Sequence, residues 1–80
     1  MNKYIATFHS HFGAMSYFKA LKKQGVAAAK IMPVPRKVSS SCGSCVSYEH
    51  NAPIDMDDCE LDAIYQDSAE GLVCVLSTLF

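Results

Sequence analysis

Apolar and polar residues follow one another along this chain in short runs, and the spacing inside each run predicts an element. Residues 3–8, "KYIATF", are rich in β-branched and aromatic side chains and too few for a helix, which predicts a strand in the middle of a sheet. From Ser10 the period changes. Ala14, Phe18 and Leu21 recur at helical spacing, Met15 widens the stripe, and Lys19, Lys22 and Lys23 fall off it. Ser10 is placed to cap this helix, Lys22 and Lys23 to oppose the carbonyl end of its dipole, and Gly25 to supply a left-handed terminating residue. Residues 26–32, "VAAAKIM", predict a second strand, weakened by consecutive alanines that pack little surface; Pro33 ends it. Residues 45–50, "CVSYEH", set Val46 and Tyr48 against Ser47 and Glu49 with a period of two, which predicts a third strand.

Residues 55–71, "DMDDCELDAIYQDSAEG", gather Asp55, Asp57, Asp58 and Glu60 ahead of Leu61, Ile64, Tyr65 and Ser68, which recur at helical spacing before Gly71. This predicts a second helix with an acidic first turn. Residues 72–78, "LVCVLST", predict a closing strand. Strand, helix, strand, strand, helix, strand is the order of the ferredoxin-like fold: an α+β, βαββαβ sandwich whose antiparallel four-stranded sheet carries both helices on one face. Tyr4, Ala6 and Phe8 alternate with Ile5, and Leu72, Cys74 and Leu76 with Val73 and Val75, so both sheet faces are apolar in prospect. The face without helices is then expected to meet a partner, with a homodimer as the simplest case.

Composition narrows what such a domain can do. The 80 residues make a single domain, 1–80, with a thin core, and a charged fraction of 19% belongs to a globular chain rather than a disordered one. Seven Lys and Arg against eight Asp and Glu leave a formal charge of −1, so no field draws nucleic acid or an anionic membrane, and neither is expected as a partner. The longest apolar segment, residues 72–80, is too short to span a bilayer, and the N-terminus lacks the apolar core of a secretion signal. A cytoplasmic protein is expected. There, four cysteines are reactive, reduced or metal-bound more often than locked in disulfides.

One segment builds no core. Residues 33–45, "PVPRKVSSSCGSC", are expected to form an exposed loop at a sheet end, presenting Cys42 and Cys45 at C-x-x-C spacing. Arg36 and Lys37 would favour a thiolate, Gly43 would let backbone N–H groups turn toward an anion, and Ser39, Ser40 and Ser41 add hydroxyl donors. Pro33 and Pro35 would stiffen the entry. The candidate reactive residues are therefore Cys42 and Cys45, and the candidate substrate-binding residues are Arg36, Ser41 and Gly43. A thiol–disulfide switch has the right spacing but no helix N-terminus at its first cysteine. A metal-binding module would recruit Cys42, Cys45 and Cys59 with Cys74 or His50, yet lacks the second close pair of structural zinc sites, and no resident metal or cofactor is expected. A protein-interaction domain without thiol chemistry is a further alternative. Cys59 and Cys74 are expected in or near the core. His9 and His11 can move protons or bind metal, with cap filling the simpler role, and the acidic run 55–62 is accounted for by helix capping because it lacks the pattern of a calcium loop.

Residues 4–43, "YIATFHSHFGAMSYFKALKKQGVAAAKIMPVPRKVSSSCG", resemble a family of small bacterial proteins, once grouped as a domain of unknown function and described as selenium/sulfur carriers. The most specific part is Pro-x-Pro-Arg on Pro33, Pro35 and Arg36, followed by Ser-Cys-Gly on Ser41, Cys42 and Gly43; the likeness continues more loosely through "VSYEH" and the following segment. The resemblance implies that Cys42 carries the chalcogen as a persulfide or selenosulfide, with Arg36 and loop amides holding the terminal anion. It also implies an accessory carrier rather than an enzyme, passing its cargo from a sulfur or selenium donor enzyme to an acceptor protein. Cys45 is not an obligatory part of the pattern, and is either a resolving thiol or a buried neighbour.

Overall fold

In the computed structural model, which describes residues 2–35, 43–55 and 60–77, the first four runs become elements close to their predicted bounds. Strand β1 is Asn2–Phe8, helix α1 His11–Lys23, β2 Ala27–Pro33 and β3 Ser44–His50. Ser10 caps α1 as expected: its backbone is extended, with φ −143°, and its Oγ accepts the Gly13 N–H at 3.1 Å. The buried stripe of α1 is turned slightly from the predicted one. Tyr17, rather than Phe18, lies fully inside with Ala14 and Leu21, while Phe18 is half-buried with the Lys22 ammonium 5.8 Å from its ring centroid.

The second helix is not formed. Leu61–Ser68 is a strand, β4, and Gly71–Ser77 pairs with it as β5, so the predicted four-stranded, two-helix sandwich is corrected to one helix on a five-stranded antiparallel sheet of order β2-β3-β1-β4-β5. The helical spacing of Leu61 and Ile64 has another cause. Phe8 pairs with Leu61 and Thr7 with Ala63, so Asp62 is an extra residue in β4. This bulge shifts the strand's alternation by one, and Leu61 and Ile64, three apart, reach the same core face. A bulged strand thereby mimics the period of a helix.

The core lies between α1 and one sheet face. Tyr4, Ala6, Phe8, Val46, Tyr48, Leu61 and Ile64 meet Ala14, Tyr17 and Leu21 there. Full burial of each large side chain contributes about 1.5–3 kcal/mol. Ring centroids of Phe8 and Tyr17 are 5.0 Å apart, those of Tyr17 and Tyr48 5.9 Å, in the tilted geometry that aromatic quadrupoles favour. The chain after β3 is tied to this core by two phenols. Tyr17 donates to the Ile54 carbonyl at 2.6 Å, and the Tyr48 hydroxyl accepts the Ile54 N–H at 3.1 Å. Burial pushes the Tyr48 phenol above its ordinary pKa, against the opposing hydrogen bonds of Tyr17 and Ile54.

On the other sheet face Ile5, Thr7, Cys45, Ser47 and Ala63 are buried and of mixed polarity. Among the described residues, the centre of that face therefore exposes no apolar patch of the kind expected for a homodimer. Among the described residues the exposed large apolar side chains are Phe12 on α1 and Val73 and Val75 on β5. None of the described helices is long and apolar enough to cross a membrane.

Candidate functional site

The ends of β1 and β2 and the starts of α1, β3 and β4 meet at one end of the sheet, and the loop singled out in the sequence leaves from there. Pro33 pairs with Ser44, and the Val34 N–H donates to the Gly43 carbonyl at 3.1 Å, closing the loop at its base. Gly43 has φ +74°, a conformation that costs an L-residue roughly 1–2 kcal/mol. No atom lies within 4 Å of where its Cβ would stand, so the demand for glycine is conformational rather than steric. Arg36, Ser41 and Cys42, with Lys37, Ser39 and Ser40, lie outside the described residues.

Cys45 lies inside the sheet. It pairs with Met32 on one side and Thr7 on the other, is wholly buried, and its thiol donates to the Pro33 carbonyl at 3.7 Å. A buried sulfur cannot meet a second protein without opening of the strands. Thr7, next to it on β1, donates to the Ala63 carbonyl at 3.3 Å.

Around the loop base stands a ring of polar groups. The Ser10 hydroxyl donates to the Glu60 carboxylate, and the His9 N–H donates to the Glu60 carbonyl at 2.9 Å. His9 Nε2 is 3.8 Å from Asp62 Oδ1, and His11 Nδ1 is 3.4 Å from Ser44 Oγ. Glu60 and Asp62, expected to serve a second helix, instead link the start of β4 to the cap of α1. Beside His11, Phe12 is 76% exposed in the first turn of α1. Neither Phe12 nor the His11–Ser44 contact was singled out from the sequence; the available signal was that Phe12 falls off the stripe through Ala14 and Leu21.

The remaining candidates are dispersed. Cys45 and His50 occupy opposite halves of β3, roughly 17 Å apart at about 3.3 Å per residue. Cys74, expected in the core, is exposed on β5, with its sulfur 3.5 Å from the Leu76 carbonyl. It lies opposite Tyr65, whose phenol is raised first by desolvation and then by the nearby Cys74 and Asp62. Cys59 lies outside the described residues. Among the described residues no three His, Cys, Asp or Glu side chains gather as a metal site.

A family model described as "Putative Se/S carrier protein-like" matches residues 3–58, which include β1, α1, β2, the loop and β3. No curated protein and no solved structure matches the chain.

Proposed function

The chain belongs to the Se/S carrier protein-like family, and from that premise we propose that it ferries a sulfur or selenium atom on Cys42 between a donor enzyme and an acceptor protein in the cytoplasm. The observation that carries this reading is the family match across the whole of the cysteine loop. The geometry of the loop base supports it: Gly43 turns the chain at the foot of the loop, and Phe12 stands exposed beside His11, where a partner could dock.

The step is a thiol exchange. The Cys42 thiolate attacks the outer sulfur of a donor persulfide, the donor's S–S bond breaks, and the donor leaves as a thiolate. A thiolate on the acceptor repeats the attack on the Cys42 persulfide and restores Cys42; sulfur moves without net oxidation. A selenosulfide follows the same course. Arg36 and the N–H groups around Ser41 and Gly43 hold the terminal anion. Cys45, buried in the sheet, takes no part in loading or release.

Cyanolysis after incubation with glutathione persulfide tests the scheme. About one cyanide-labile sulfur per chain is expected in the wild type, in Cys45→Ser and in Cys74→Ser, and none in Cys42→Ser. Equal labile sulfur in Cys42→Ser would refute it.

A further inference from the structure

At the other end of the sheet from the cysteine loop, on the face away from α1, lies a hollow of about 360 Å³ lined by Lys3, Ala28, Ala29, Lys30, Ser47 and Glu49. Its origin is in the strand pairing. Ala27 pairs with Glu49 and Lys30 with Ser47, so Ala28 and Ala29 together oppose one residue of β3 and the edge strand bulges. Ala28 holds φ +57°, an uncommon conformation for a residue other than glycine, and such backbone outliers concentrate at functional sites. The run of alanines, a poor choice for a strand, leaves open the space that larger side chains would fill.

The charges in this hollow are arranged rather than scattered. Lys3 lies opposite Glu49 across the β1–β3 ladder, and Lys30 lies opposite Ser47 across β2–β3. Residues facing each other in register, and residues two apart along β3, share one sheet face. Two ammonium groups, one carboxylate and one hydroxyl are thus directed at a volume near the lower end of the range for small-molecule sites. Ser47 is 1% exposed and lies at the middle of the sheet, which makes it the floor.

We infer that this hollow binds a small acidic amino acid, whose two carboxylates meet Lys3 and Lys30 and whose ammonium meets Glu49. The ligand carries the charge pattern of the site with every sign reversed, and its short carbon chain lies along Ala28 and Ala29. Ser47 donates to the carboxylate held by Lys30. The site shares no residue with the cysteine loop and stands or falls independently of the carrier role.

Titration of the ¹⁵N-labelled protein with L-glutamate, followed by amide shifts, tests it. Saturable shifts are expected at Lys3, Ala29, Lys30, Ser47 and Glu49. Lys30→Gln, nearly isosteric and on an edge strand, is expected to weaken binding about tenfold. In the wild type, L-glutamine and glutarate, which lack one carboxylate and the ammonium respectively, should each bind more weakly than L-glutamate. These two ligands need no variant, so the result does not depend on Lys30→Gln folding. Failure to saturate by about 10 mM, roughly the weak limit of specific binding, would overturn the inference. So would L-glutamine, glutarate or inorganic phosphate binding as well as L-glutamate.

Discussion

Gly43 is the described residue on which the loop most directly depends. Its positive φ follows the hydrogen bond that closes the loop base and precedes the first paired residue of β3, so a side chain there strains the turn without clashing with anything. Gly43→Ala is expected to lower unfolding free energy by about 1 kcal/mol, measured by urea denaturation, and to slow sulfur loading by displacing the residues just before it. Unchanged stability and loading would show that the turn is not held in this conformation. Phe12 makes the opposite case. Because its ring is largely in water, Phe12→Ala should change stability by less than about 0.5 kcal/mol, while transfer to a partner protein slows and loading from a small persulfide is unaffected. Equal loss in both transfers would remove Phe12 from the docking surface.

Element by element, the chain was most legible where one period governs a run. β1, α1 and β3 fall within a residue or so of their expected bounds because alternation, a helical stripe and the Ser10 cap each act locally. β4 was misread because its bulge at Asp62 gives a strand the spacing of a helix, and a bulge is fixed by pairing with β1, which no local pattern contains. The acidic residues misled for the same reason: Glu60 and Asp62 answer Ser10 and His9 from a distant part of the chain. The cysteine loop was legible as a motif, since residue types carry its chemistry, whereas the burial of Cys45 and the exposure of Cys74 depend on strand position in the sheet. Deleting Asp62 should therefore regularise the ladder, leaving Leu61 opposite Phe8 and Ile64 opposite Ala6 on the core face, at a cost of no more than about 1–2 kcal/mol for the lost contacts of Asp62 with Thr7 and His9. A loss of about 3 kcal/mol or more in thermal unfolding would count against Asp62 being the extra residue of the bulge. The segment after β3 yields a pH prediction. Tyr48 is held above the ordinary phenol pKa of 10.0, chiefly by desolvation, so the unfolded chain ionises first as pH rises. Stability should be level below about pH 10 and fall above it. Tyr65, raised in the same direction, shares this slope, so Tyr48→Phe should reduce the alkaline fall rather than abolish it, at a cost near 1–2 kcal/mol at neutral pH from the unpaired Ile54 N–H. An unchanged slope would place the loss elsewhere.

For the whole molecule, one small core supports two ends with different chemistry. α1 and residues 51–55 cover the tyrosine-rich face, and the sheet holds the loop base at one end and the lysine-lined hollow at the other. Such an arrangement suits a carrier, whose scaffold needs only to present one reactive sulfur while keeping a neighbouring sulfur out of reach. Three of the four cysteines provide internal controls: Cys45 is buried, Cys74 is exposed but remote from the loop, and Cys59 falls outside the motif. The decisive measurement is peptide mass spectrometry of the native protein after brief exposure to a persulfide donor, with remaining thiols trapped by iodoacetamide. An added sulfur on Cys42, simple alkylation of Cys74 and an unmodified Cys45 are expected. An added sulfur on Cys74 or Cys59 with Cys42 merely alkylated, or no added sulfur on any cysteine, would contradict the carrier role of Cys42.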